Sequence, residues 1–369
     1  MIENITPVFA INDKKNNRAV GTWLLIGVGM VIIQIALGGI TRLTGSGLSI
    51  TEWNVVTGTL PPLSETAWMA EFTKYKSTPQ YQLLNADFGL SEFKFIFFWE
   101  WFHRLWARVL GLVFVVGFVY FLATNKFKKE MVKPLLILFL LGALQGLVGW
   151  IMVASGLVGD AVYVKPTRLA LHFVFALGLL SYTFWFALKL MVPNKQRVQI
   201  HTLRGLHISI VILLFFQLMY GALMAGHKAA SAAPTWPTIN GSVLNPAGLY
   251  KNEFGLLNFI ENKIMVHYVH RGLAYLMLLL VIVYTYRLVK YQLTPLLHKT
   301  KWLPAGLILL QALLGIMSVL TSTYIIPGVW GAFEWMAQLH QLTGMCFMLV
   351  MVWMIYLSTG KGKAAIEFR

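Results

Sequence analysis

Four histidines stand at matching places in the two halves of the chain. His103 and His172 are 69 residues apart, and His270 and His340 are 70 residues apart. Each lies near the same end of a long apolar segment whose length predicts a helix. Imidazoles that face each other across an apolar helical bundle hold haem iron from both sides. The spacing therefore predicts two haem sites made by duplication.

The histidines allow two other interpretations, an interfacial role and a zinc site. A lone histidine at a membrane boundary is usually interfacial and has no ligand role, but four at repeat-equivalent positions favour a shared function. Zinc fits less well, because each half offers only two imidazoles with few acids nearby. His201, His207 and His298 fall at the opposite ends of the segments and receive no role.

A second repeat accompanies the histidines. A glutamine followed four residues later by a glycine recurs in the first, third, fifth and seventh apolar segments. Such a glycine lets a helix or a flat macrocycle approach closely, and glutamine can bond across a helix pair. Ordinary small-residue packing is the alternative explanation. The pairs are Gln34 and Gly38, Gln145 and Gly149, Gln217 and Gly221, and Gln311 and Gly315.

Glu100 is the next unusual residue, because it lies three positions before His103 and shares its helix face. An ionisable residue that enters a membrane helix is a functional candidate. The alternative is a carboxylate in the first helical turn, which the helix dipole stabilises. The second half has His267 at the equivalent place. The two predicted haem sites are therefore chemically unequal.

Arginines lie at the same boundary as the histidines and could pair with haem propionates. Contacts with lipid headgroups are the equally supported alternative. The residues are Arg42, Arg104, Arg168 and Arg271.

The composition indicates a polytopic membrane protein. Of the 369 residues, 57% are hydrophobic and 12% are charged, and the mean hydropathy is +0.67. Cys346 is the one cysteine, which excludes an intramolecular disulfide and any multi-cysteine metal site. The net charge of +16 is scattered between apolar runs, so it indicates topology and not a nucleic-acid surface.

Eight apolar segments are long enough to span a bilayer, which takes about 20 residues of helix. We predict an all-α protein of two pseudo-symmetric four-helix bundles, with residues 1–192 and 193–369 as its halves and a long outer loop over residues 42–96. The predicted spans are residues 19–41, 97–123, 134–157, 168–191, 205–226, 265–287, 302–325 and 334–358.

The basic residues also predict the orientation. Most Lys and Arg, but few acids, fall in the termini and in every second loop, a bias that marks the cytoplasmic side. Both termini are then cytoplasmic and the histidines lie near the outer face. The first 18 residues lack the apolar core of a signal peptide, and Glu3 and Asp13 argue against a transit peptide. A bacterial inner membrane is the simplest location.

Three motifs carry a resemblance to a known family. Residues 38–49 read GGITRLTGSGLS, residues 100–104 read EWFHR, and residues 235–237 read TWP. The first resembles the outer loop of haem A synthases, the second their acid-x-x-His-Arg motif, and the third their Thr-Phe-Pro loop. The resemblance extends over all eight predicted helices. Without an outer-loop cysteine pair, the chain is similar to the cysteine-free branch that includes the mitochondrial enzymes.

The resemblance implies an activity and a cofactor. The protein would oxidise a methyl group of haem O to the formyl group of haem A by successive hydroxylations. His103 and His172 would hold the substrate haem, with Glu100 assisting, and His270 and His340 would hold haem b. The implied partners are haem O, the lipid bilayer, haem O synthase and assembly factors of terminal oxidases; the electron-transfer partner stays open.

Two rival functions remain from the residues alone. A dihaem cytochrome that takes electrons from quinol would need the same histidine pairs. A haem transporter or assembly scaffold would need sites that release their ligand. The unequal Glu100 and the residue 38–49 loop favour the synthase over both rivals.

Overall fold

The computed structural model describes residues 8–54, 57–360 and 366–367, and within them the chain is helical without β-strands. Eight helices are long and apolar enough to cross a membrane, which confirms the predicted fold class. The predicted cytoplasmic termini fall largely outside the described residues. The eight helices are α1 Val8–Leu43, α2 Leu90–Ala123, α3 Lys129–Ala154, α4 Pro166–Met191, α5 Arg204–Gly226, α6 Lys263–Leu288, α7 Leu303–Thr321 and α8 Ala332–Ser358.

The start of α2 differs from the prediction, since the helix begins at Leu90 and not at residue 97. Two short helices in the long loop, Glu65–Lys76 and Pro79–Leu84, account for the extension. Buried aromatic residues of the first, with Phe72 stacked on Phe93, cover the added turns of α2. Packing outside the apolar span therefore lengthens the helix beyond what hydropathy predicts.

A central core joins the two halves. Leu180 on α4, Ile210 on α5, Val281 on α6 and Met351 on α8 are among its fully buried members. A smaller cluster, which includes Leu24 and Leu135, fills the first half at the end remote from the histidines. In a bilayer such clusters hold helices by van der Waals packing, because lipid is as apolar as the side chains.

The helix contacts are consistent with two pseudo-symmetric bundles joined at α4. In the first half α1 packs against α2 and α4, and α3 packs against α4. In the second half α5 packs against α6, α6 against α7, and α7 against α8. The central helix α4 also packs against α5 and α8. Over the described residues, α2 and α3 of the first half do not pack as closely as α6 and α7 of the second.

Candidate functional site

The structure places all four histidines in the first two to four turns of even-numbered helices at one end of the protein. Each ring lies against the preceding odd-numbered helix, at the repeated glycine. A Cβ added at Gly149 would lie 2.8 Å from Cε1 of His172, and one at Gly315 would lie 2.9 Å from Cε1 of His340. Added at Gly38 or Gly221, it would lie 3.3 Å from the His103 or His270 ring. The glycines are therefore positions at which an imidazole sits directly on a helix backbone.

The repeated glutamines contact the same histidines. Gln145 Nε2 lies 3.1 Å from Nδ1 of His172 and donates to its carbonyl oxygen. Gln311 Nε2 lies 3.3 Å from Nε2 of His340. We call each glutamine and glycine pair a histidine seat. The sequence showed both repeats but not that they are in contact. Each glutamine and glycine pair lies in an odd-numbered segment and each histidine in the next even-numbered one, and this order could have indicated the contact.

The seat of His340 also fixes the proton on its ring. Nδ1 of His340 lies 3.1 Å from the backbone carbonyl of Gln311, and a carbonyl can only accept. Nδ1 therefore carries the proton, and Nε2, which the Gln311 amide contacts, is the ring nitrogen that would bind a metal. Gly315 permits this contact because a side chain there would meet the ring.

The two rings of the second half are separated by a distance that suits one metal atom. The ring centres of His270 and His340 are 6.4 Å apart. Two nitrogen–metal bonds of about 2 Å each, with the distances from each ring centre to its nitrogen, occupy this span. The pair therefore fits an iron held between two imidazoles.

The donor set favours a macrocycle over a bare ion. Among the described residues, no group of three or more His, Cys, Asp or Glu could hold a metal ion. Two imidazoles complete the coordination only of a metal that already has other ligands, as haem iron has. In the first half, His103 and His172 lie at the equivalent positions of α2 and α4. Each half thus offers the two imidazoles that a bis-histidine haem would need.

Glu100 lies in a built, buried site. Its side chain is 3% exposed. Oε2 accepts hydrogen bonds from Ser49 Oγ at 2.7 Å and from the Ile50 backbone N–H at 2.9 Å, and Oε1 pairs with Arg104 at 2.6 Å. Since α2 begins at Leu90, Glu100 is about three turns inside the helix. The alternative that it is a first-turn charge stabilised by the helix dipole is therefore wrong.

The family-like loop after α1 builds this site. Gly45 has a left-handed backbone, with φ of +70°, and the Ser46 N–H returns to the carbonyl of Thr41. This glycine-terminated cap ends α1. It turns the chain so that Ser49 and Ile50 reach Glu100. The motif of residues 38–49 thus supplies the glycine of one histidine seat and the Ser49 donor to the carboxylate, and Ile50 directly after it supplies the second donor.

Arg104 and Arg271 occupy equivalent positions and do equivalent work. Arg104 donates to the carbonyls of Ile50 and Glu52 and pairs with Glu100. Arg271 donates to the carbonyls of Thr235, Pro237 and Thr238. Its Nη2 also lies 2.9 Å from Nε2 of His267, which is 1% exposed. Each arginine therefore fastens the outer loop of its own half.

Arg42 and Arg168 differ from these two. Nε of Arg42 is buried without a hydrogen-bond partner among the described residues, and the nearest charge acting on this arginine is Glu334. Arg168 donates to the carbonyl of Ile151. Of the four arginines predicted to meet propionates, Arg42 thus keeps a buried donor for an acidic group.

The two halves are joined directly beside the histidines. On α8, Gln338 and Gln341 flank His340. Gln338 Nε2 donates to the carbonyl of Ala36, and Gln341 Nε2 donates to that of Ile35, each at 3.0 Å. These carbonyls lie on α1 between Gln34 and Gly38, the seat of His103. The helix α8, which carries His340, is therefore hydrogen-bonded to α1, which seats His103.

Comparison with known proteins agrees with this arrangement. Residues 21–352 match the COX15-CtaA family, described as cytochrome oxidase assembly protein. A protein of Flavobacterium psychrophilum named "Heme A synthase" is 41% identical over 91% of this chain and 96% of its own. One of Parvibaculum lavamentivorans with the same name is 39% identical over 96% of this chain and 98% of its own. One of Paracoccus denitrificans is 42% identical over 72% of this chain and 71% of its own. The chain belongs to the haem A synthase family.

Proposed function

We propose that the two halves divide the haem A synthase reaction between them. The protein is an oxidoreductase that acts on haem O and converts one methyl group to the formyl group of haem A. In our proposal His103 and His172 hold haem O, and His270 and His340 hold haem b as the resident cofactor. The observation that carries this assignment is Glu100, a buried carboxylate one turn from His103 that His267 replaces in the second half.

Glu100 has the chemistry that the oxidation requires. Oxidation of the methyl carbon releases protons and develops positive charge, and both are favoured by a nearby fixed carboxylate. Arg104 and the two loop donors keep this carboxylate in one orientation. Two successive hydroxylations give a geminal diol, which loses water to form the aldehyde. The loop over residues 44–50 reaches this carboxylate through Ser49 and Ile50.

The second half supports the reaction from a distance. Haem b held there supplies reversible electron transfer. The Gln311 carbonyl orients His340, and the Gln217 amide lies 3.5 Å from Nε2 of His270. His267, in place of a carboxylate, leaves this half without the charged group of the first. A dihaem cytochrome that leaves both haems unaltered is not favoured by the relatives that the chain matches.

The product distribution tests the proposal. The full-length protein is purified, supplied with haem O and a reductant–oxygen system, and its haems are extracted and separated chromatographically. We expect haem A and its hydroxylated precursor beside haem b. Recovery of haem b alone from both halves, with haem O unaltered, would instead identify an electron-transfer cytochrome.

We also propose that both termini face the cytoplasm of a bacterial inner membrane, with the histidine end outside. A cysteine introduced at Ser64, in a Cys346→Ser background, tests this orientation in intact cells. A membrane-impermeant maleimide should label it without permeabilisation. Labelling only after the inner membrane is broken would place the long loop and all four histidines on the cytoplasmic side.

A further inference from the structure

The first half is open on one side where the second half is closed. α6 and α7 pack against each other, whereas α2 and α3, their counterparts, have no comparable packing along their described lengths. Phe114 of α2 and Phe139 of α3 stack with ring centres 6.4 Å apart. This aromatic pair lies at the end remote from the histidines, where a core cluster also fills the bundle.

Toward the histidines, the helical positions that continue the faces of Phe114 and Phe139 include four small residues. One and two turns from Phe114 on the same face are Gly111 and Ala107, and one and two turns from Phe139 are Gly142 and Gly146. We call the space between these four residues the α2–α3 slot. All four are exposed. A Cβ added at any of the three glycines would meet no atom within 4 Å.

The second half fills the equivalent space with side chains. The counterpart of Gly111 is Leu278, and that of Gly142 is Ile308. Ile308 is 5% exposed, and Leu278 packs against the central core. Two glycines of the first half are thus replaced by branched residues that close the second. This difference lies in the chain's own sequence and explains the difference in helix packing.

The α2–α3 slot leads to His103, which continues the same face of α2 beyond Ala107. His103 is also the histidine that its seat holds least. Gln34 reaches the backbone carbonyl of His103 at 3.2 Å. No hydrogen bond reaches its ring nitrogens within the described part of the chain. His172, His270 and His340 each have a glutamine amide within 3.5 Å of a ring nitrogen.

We propose that the α2–α3 slot is the lateral portal through which substrate haem enters from the bilayer and product haem leaves. The proposal rests on the assignment of the first half to haem O. A flat, lipid-soluble macrocycle passes edge-on between helices that lack side chains at their facing positions. It meets first the histidine whose ring nitrogens no glutamine amide contacts. The closed second half retains its haem through every cycle.

The test fills the slot with the residues that close the second half. The full-length protein with Gly111→Leu and Gly142→Ile is reconstituted into liposomes that contain haem O. Haem O binding is followed by rapid-mixing absorbance, and haem A is measured at the end. Gly306→Leu serves as the matched control, because Gly306 is a lipid-exposed glycine of α7 with nothing within 4 Å of an added Cβ. Circular dichroism and gel filtration check folding.

We expect the double variant to bind haem O at least about tenfold more slowly than the wild type, with the control unchanged. Binding at the wild-type rate by a folded double variant overturns the portal. Should the double variant not fold, Gly146→Cys in a Cys346→Ser background is folded first and then alkylated with benzyl maleimide. Alkylation should slow haem O uptake, and an unaltered rate overturns the portal equally.

The outcomes separate the portal from the proposed function. If filling the slot slows haem O uptake but the wild type forms no haem A, the portal stands and the proposed function fails. If filling the slot leaves both uptake and haem A formation unaltered, the portal fails and the proposed function stands.

Discussion

The first half places a carboxylate, Glu100, three residues before its first histidine, whereas the second half places His267 there. The halves otherwise use the same parts: two histidine seats each, and an arginine that fastens the outer loop. They differ again between their second and third helices, where glycines of the first half correspond to branched residues of the second. In our proposals, these few substitutions separate a bundle that holds a haem from one that exchanges and reacts with it.

The largest effect should come from removing a ligand of the second half. With His270→Ala or His340→Ala, we expect the low-spin bis-imidazole spectrum of haem b to disappear while the protein still inserts in the membrane. The remaining imidazole cannot hold iron from both sides. Absorption spectra and the haem-to-protein ratio of the purified variants measure this loss. Retention of haem b in both variants would remove the proposed division between the halves.

The next effect tests the residue that makes the halves unequal. Glu100→Gln keeps the shape but removes the negative charge, so we expect haem A formation to fall by about 10²–10⁴-fold. Haem O or the hydroxylated intermediate should accumulate, and haem b should remain. Chromatography of extracted haems measures the conversion.

Glu92→Gln is the matched control for this change. Glu92 lies on the same helix and caps the backbone N–H of Gly89, away from the histidine. Its loss should leave the conversion unaltered. A Glu100→Gln protein that makes haem A at the rate of this control would show that the carboxylate only fastens the loop.

A smaller effect tests the histidine seats. In Gly315→Ala the added methyl would lie 2.9 Å from Cε1 of His340, and such overpacking costs about 1–3 kcal/mol. We expect haem b to bind correspondingly more weakly, with an altered reduction potential. Titration of the apoprotein with haem and potentiometry measure both.

Gly306→Ala, on the same helix, should leave haem b affinity and potential unaltered, since nothing lies within 4 Å of its added Cβ. Equal behaviour of the two alanine variants would mean that the repeated glycines serve general helix packing. The seat as a functional unit would then be lost.

The smallest effect concerns the long loop that distinguishes the first half. Lys74 bridges Glu52 and Glu71, and its hydrogen bond holds the pKa of Glu52 below the ordinary value. The bridge therefore stabilises the fold above the ordinary pKa of a glutamate and is lost as pH falls through the lowered pKa. Because Lys74 and Glu52 are substantially exposed, Lys74→Met should cost only about 0.2–1 kcal/mol. Thermal unfolding at neutral and acidic pH measures it, and a pH-independent cost would contradict the assignment.

The sequence predicted the eight helices because hydropathy over about 20 residues is a strong signal. It could not predict that α2 begins at Leu90, since those turns are held by loop aromatics and not by lipid. The histidines and glutamines were visible as repeats. Periodicity, however, shows only which residues share a helix face and not which other helix that face contacts. For the same reason the bonds of Arg104 and Arg271 to loop carbonyls, which depend on distant chain segments, were outside the reach of pattern reasoning.

The two amide bonds from α8 to α1 have a thermodynamic consequence. Gln338 and Gln341 hold the adjacent carbonyls of Ala36 and Ile35, within the turn between Gln34 and Gly38 that seats His103. A displacement of α8 on binding at His340 would thereby reach the neighbouring seat. Linkage is reciprocal, so one occupant changes the affinity for the other by the same factor in both directions. An α8 that responds to the occupant of its own site would therefore make the two sites one cooperative unit.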